Sequence, residues 1–213
     1  ASRDWKYLAL LANRDSDEQK LYLINTADNK LTLMDEGAGV TFSPSGWYNE
    51  QFVYTVTRNN VKEWEPKRQS LKTFNASNAK ITTLDDTAAA GTNNTDWRRE
   101  VMSNVYILEN QIVYSKHWNK AYSPYVSLTV PKDGIYSVKP TGENKQTLKD
   151  FDALGTGYID ARLYRPQEIY FKVNIGSKTT FYEYEDTKIA ETNAIDENSF
   201  FNDAYPTYLV SPS

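Results

Sequence analysis

The chain has no cysteine, a single histidine and two methionines, and no apolar run approaches the ~18 residues that a membrane-spanning segment requires. Without cysteine there can be no disulfide scaffold, no Cys-ligated zinc and no thiol nucleophile. With His117 as the only imidazole, a His/Cys metal cluster is excluded, and a Ser-His-Asp triad would depend on this one residue. His117 stands beside Trp118 in what reads as a loop, and no G-x-S-x-G elbow is present, so it is expected to be a surface or stacked histidine. A dominant charge sign is missing too. The 24 basic and 28 acidic residues leave a net charge of −4, with no basic field to hold a phosphate backbone, so nucleic acid is not an expected partner.

What the chain does have is aromatic and β-branched residues between polar turns. Aromatics make up 14% of its 213 residues, 16 of them tyrosine. That composition suits half-buried strands joined by short loops, and a chain of this length buries a core without staples. One all-β domain spanning residues 1–213 is the expectation.

A hairpin recurs four times with the same grammar. "LYLINTADNKLTLMDE" from Leu21, "LKTFNASNAKITTLDD" from Leu71 and "IYSVKPTGENKQTLKD" from Ile135 align without gaps, and "FYEYEDTKIAET" from Phe181 is a shorter copy. Each has a strand of period two, a polar turn and a second strand ending in acid, at a spacing of roughly 50 residues that marks one propeller blade or solenoid unit. Another apolar strand precedes each hairpin, beginning near Tyr7, Phe52, Ile112 and Ile169, and before it lie "GVTFSPSG", "SNVYILEN" and "GYIDARLY" in units two to four. The pattern predicts a β-propeller of about four four-stranded antiparallel blades, A to D, at residues 4–36, 39–86, 101–150 and 157–192. Unit one has no A strand ahead of Tyr7. The final "LVSPS" repeats the "TFSPS" of unit two, so residues 205–213 are expected to complete blade one and close the ring. A β-sandwich with similar hairpins, or a piece of a larger propeller, is the alternative.

The passage "FSPSGWYNEQFVYTV" followed by "LKTFNASNAKITTL" resembles the TolB-type, WD40-like propeller repeat at Phe42, Ser43, Pro44 and Gly46, with Ser45 where the family has aspartate. The resemblance implies the propeller fold and a bias toward extracytoplasmic binding or scaffolding, periplasmic or at the cell surface. It carries no catalytic residues.

Strands alternate direction within a blade, so B–C and D–A links share one face of the disc. Three of these links are long, at residues 58–70, 87–100 and 117–134, and all belong to units two and three. Long links without structure of their own commonly bind something. Trp64, Trp97, Arg98, Arg99, Trp118, Tyr122 and Tyr125 lie in them and form the candidate binding site, aromatic and cationic, suited to a protein surface or a sugar face. The expected function is a non-catalytic binding or scaffold domain of a larger bacterial envelope or surface protein, with any membrane anchor in flanking sequence. It would take a protein partner and need no cofactor or metal. The alternative is a carbohydrate-binding or glycoside-processing propeller using the same face, with Glu63, Glu65, Asp96, Glu100 and Asp133 as the acids available to it. The acidic stretches 15–18 and 196–203 lack EF-hand spacing and read as solvated loops.

Overall fold

The computed structural model describes residues 1–13, 18–59, 68–87, 98–120, 133–151, 158–165 and 167–202. Among these residues fifteen strands build four sheets in chain order. Sheet one contains β1 (Tyr7–Asn13), β2 (Glu18–Asn25) and β3 (Lys30–Ala38). Sheet two contains β4 (Val40–Tyr48), β5 (Gln51–Arg58), β6 (Gln69–Asn75) and β7 (Lys80–Asp86). Sheet three contains β8 (Arg98–Ile107), β9 (Ile112–Lys120), β10 (Asp133–Val138) and β11 (Gln146–Phe151). Sheet four contains β12 (Tyr158–Arg165), β13 (Glu168–Ile175), β14 (Lys178–Glu185) and β15 (Lys188–Thr192). Neighbours in sequence are antiparallel neighbours in each sheet, so every sheet is a meander.

The first strands of sheets two, three and four run beside one another, β4 against β8 and β8 against β12. In sheet one β1 is an edge strand, the position where an A strand would add; residues 205–213, expected to supply it, lie outside the described residues.

Alternation along the B strands explains why the sheets stack. Successive residues of β5 point to opposite faces, and Phe52 to Val56 are buried throughout, Phe52, Tyr54 and Val56 toward sheet one and Val53 toward sheet three. Three cores result. One joins Tyr7, Leu21, Leu23 and Met34 to Phe42, Phe52 and Phe74. The second joins Leu71 and Leu84 to Met102, Ile112 and Tyr114, and the third joins Val113, Ile135 and Phe151 to Ile159, Ile169 and Phe171. Each fully buried Leu, Ile or Phe contributes roughly 1.5–3 kcal/mol, so these apolar seams outweigh the polar contacts that register them.

The polar contacts nevertheless repeat. In three hairpins the ladder slips at the same place: Leu21 pairs with Asp35 but Tyr22 with Leu33, Leu71 with Asp85 but Lys72 with Thr83, and Ile135 with Lys149 but Tyr136 with Thr147. Met34, Leu84 and Leu148 are the extra residues of these bulges. A bulge lets consecutive residues be buried together, as Leu84 and Asp85 are. At the first seam Tyr54 Oη donates to Asp35 Oδ2 at 3.0 Å, and Lys72 Nζ donates to the same oxygen at 2.9 Å. At the second, Tyr114 Oη donates to Asp85 Oδ2 at 2.8 Å. The third lacks both partners, because Lys149 stands at the aspartate position and Phe171 at the tyrosine position; there the Lys149 ammonium lies 5.6 Å from the Tyr182 ring centroid. The first two seams also share a glutamine: Gln19 Oε1 accepts from Phe42 N–H and Gln69 Oε1 from Met102 N–H, tying each sheet to the inner strand of the next.

The signature glycine has a steric role. Gly46 has φ of 143°, and a Cβ there would meet Ile107 Cδ1 at 3.1 Å, where β4 approaches β8. One element departs from the all-β reading. Helix α1 (Glu197–Asn202) forms because Asp196 accepts from the Ser199 N–H and hydroxyl, each at 2.8 Å, as an N-cap, while Phe200 is buried against Phe181. The acidic stretch there therefore caps and docks a helix. No helix among the described residues is long and apolar enough to cross a membrane, which says nothing of a β-barrel.

Candidate functional site

Of the seven residues proposed from sequence, Trp64, Trp97, Tyr122 and Tyr125 lie outside the described residues. Arg98, Arg99 and Trp118 fall within strands rather than links, because β8 begins at Arg98 and β9 continues to Lys120. Their register is close: Arg98 pairs with Lys120, Arg99 with Asn119 and Glu100 with Trp118. The three thus come together at one end of sheet three. His117 is likewise in β9 and half-buried, which corrects its reading as a loop residue; continued β8–β9 pairing carries the strand past it.

Beneath that end lies a buried charged cluster across the second seam. Lys116 Nζ is 3.2 Å from Asp85 Oδ2 and 3.5 Å from Glu100 Oε1, and stands 5.2 Å from the Tyr136 ring centroid. Lys145 forms a second ion pair with Asp85. Burial alone would raise the Asp85 carboxyl, but hydrogen bonds from Lys145 and Tyr114 and the charge of Lys116 hold it below the ordinary carboxylate range. Burial, with the acids around it, pushes the Tyr136 phenol up to about 12. Burial also lowers the His117 imidazole, opposed by the charge of Asp133, and its Nδ1 has no hydrogen-bond partner among the described residues. Of the acids weighed for glycoside chemistry, Glu100 and Asp133 are buried, Glu100 against Lys116, and Glu63, Glu65 and Asp96 lie outside the described residues. Asp85 of β7 with Lys116 and Glu100 of β9 and β8 are placed to hold sheets two and three together.

Four consecutive antiparallel meanders whose inner strands lie side by side decide the architecture. The fold is that of a β-propeller. No protein-family model matches the chain, and no curated protein matches its sequence. Among solved structures, one from a study of two prolyl endopeptidases is similar with a TM-score of 0.52 at 15% identity, over 90% of this chain and 25% of that one. The β-propeller domain of the Trilobed protease from Pyrococcus furiosus gives 0.48 at 11%, over 87% and 52%, and the putative TolB from Agrobacterium tumefaciens 0.47 at 12%, over 89% and 62%. At these identities the likeness is one of fold, and the chain spans about a quarter of the first structure's length.

On the opposite face of the propeller, which carries the A–B and C–D turns, the four sheets contribute to one cavity of about 520 Å³. Trp47, Ile107 and Leu108 supply its apolar lining. Trp47 is backed by Tyr7, with ring centroids 6.1 Å apart and planes 14° apart, and by Phe52 at 5.0 Å. None of the lining residues was singled out from sequence. The available signal was positional: all lie at A–B turns or, for Arg3, just before the first B strand, and such turns meet at the propeller axis.

Proposed function

We propose that this chain is a non-catalytic binding domain, recognising a protein partner through the face that carries the long links of blades two and three. The observation that supports this most is the register that brings Arg98, Arg99 and Trp118 to one end of the β8–β9 pair, in the same strands as Glu100 and Lys116 of the ion-paired cluster with Asp85. Tryptophan and arginine are enriched among the residues that dominate binding energy at interfaces. The buried Asp85 and Glu100 carboxylates are engaged by lysines within the fold, which favours scaffolding over acid–base chemistry. The domain is taken to work outside the cytoplasm, at the periplasmic or cell surface, within a larger envelope protein; absent cysteine and TolB-type repeats support that reading.

The test compares wild type with the triple variant R98A/R99A/W118A in capture from a bacterial envelope fraction, alongside thermal melting. Capture of a defined protein by wild type and its loss in the variant, at unchanged melting temperature, is the expected outcome. Equal capture by both would move the interaction elsewhere.

A further inference from the structure

The 520 Å³ cavity at the A–B turn face is independent of the binding face proposed above, and its lining has a chemistry of its own. Each blade contributes. Arg3 comes from the segment before β1, Trp47 from the end of β4 and Asn49 from the β4–β5 turn, Glu109 and Asn110 from the β8–β9 turn, and Gln167 from the β12–β13 turn. The volume lies within the range of small-molecule sites, and convergence of one turn per blade makes the cavity axial, not an accident of one loop.

Two features show that the turns are held in place. Asn49 and Gln167 take positive φ, 49° and 76°, and for glutamine this is an uncommon conformation that local structure must sustain. Gln167 is fixed across blades, since its Oε1 accepts the Glu109 N–H at 2.7 Å, which leaves its two amide hydrogens to donate. The N-terminal segment is fastened as well: Tyr7 N–H donates to Ser2 Oγ at 2.9 Å and Ser2 Oγ donates to Asp4 at 2.8 Å, setting Arg3 at the rim.

We propose that this cavity binds a neutral saccharide. The Asn49 amide offers donors and an acceptor on one planar group, and Asn110 and Gln167, whose oxygens accept from the Tyr48 hydroxyl at 3.4 Å and the Glu109 N–H at 2.7 Å, offer their amide hydrogens, a set that adjacent sugar hydroxyls can meet as acceptors and donors. Trp47, supported by Tyr7 and Phe52, gives an apolar surface for the C–H face of a sugar ring. One cation, Arg3, and one anion, Glu109, balance the lining, which favours neither an acidic nor a basic ligand. A peptide ending in a free carboxylate would draw chiefly on Arg3 and leave the three amides unused.

The experiment is saturation-transfer NMR and calorimetric titration of the intact chain with cellotriose, maltotriose and N,N′-diacetylchitobiose, and with a tetrapeptide bearing a free C-terminus. At least one saccharide is expected to bind. Asn110→Ala should weaken it roughly three- to tenfold, the effect of one lost hydrogen bond, with the melting temperature unchanged because Asn110 is exposed. Q167A provides a second, independent reading of the same loss. No binding by any of the three sugars, binding unchanged in N110A and Q167A, or tetrapeptide binding that is lost in Arg3→Gln while sugars do not bind would each overturn the proposal.

Discussion

His117 carries the protein's only imidazole, so a stability change as the pH crosses the histidine range traces to one ring. Burial lowers its folded-state pKa below the ordinary 6.5, which means that the unfolded chain takes up a proton the folded protein resists. Stability is therefore full above pH 6.5 and is lost as the pH falls from there through the folded value. Thermal melts between pH 7.5 and 5.5 should show this decline, and H117Q should flatten it. An equal slope in the variant would place the titration elsewhere. The tyrosines carry a different lesson at the same scale. Tyr54 and Tyr114 share the B-strand position that pairs with a D-strand aspartate, and both phenols are pushed above their ordinary value by burial first and then by that aspartate. Their role is to satisfy the seam carboxylates, Asp85 buried and Asp35 partly so.

At the scale of elements, the repeated hairpin is a seam-making device. Asp35 with Tyr54 and Asp85 with Tyr114 use it in one form, and at the third seam both corresponding positions differ together, as Lys149 and Phe171. If the two positions form one contact, F171Y should destabilise the protein by about 1–3 kcal/mol by placing an unpaired hydroxyl in the seam, while K149D, at an exposed position, should alone cost about 0.5 kcal/mol or less. Combined, they should recover part of the loss, with a coupling of roughly 0.5–3 kcal/mol in a double-mutant cycle. Chemical denaturation measures all four proteins. Strictly additive losses would show that the positions do not meet.

Among the described residues of the whole molecule, an apolar surface stands in view on sheet one. On the face of sheet one turned away from sheet two, Leu8, Ile24 and Leu31 lie side by side across the three strands, and Leu10, Tyr22 and Leu33 form the next row. Leu10, Leu31 and Leu33 are 45%, 53% and 43% exposed, which makes this a contiguous patch, unlike the scattered leucines of an ordinary surface. Replacing Leu10 and Leu33 by glutamate should leave thermal stability within about 1 kcal/mol, as surface changes do, and reduce self-association at high concentration, read by light scattering after size exclusion. A large loss of stability would instead show that the chain itself covers this face.

The alternation of β1 to β15 and the spacing of the hairpins were legible in the sequence because strand period and turn chemistry are local properties, set by residues within a few positions of one another. The acid at the end of each hairpin was legible too, but not its purpose. Whether Asp35 and Asp85 meet solvent or a neighbouring sheet depends on a bulge at Met34 and Leu84 that breaks the alternation, and on a tyrosine some 20 to 30 residues away that arrives only when the sheets stack. The same holds for the cavity. Arg3, Asn49, Asn110 and Gln167 are ordinary turn and terminal residues in the sequence, spaced across more than 160 positions, and no local pattern connects them. Tertiary structure brought them together because the turn after each inner strand points to the same end of a shared axis.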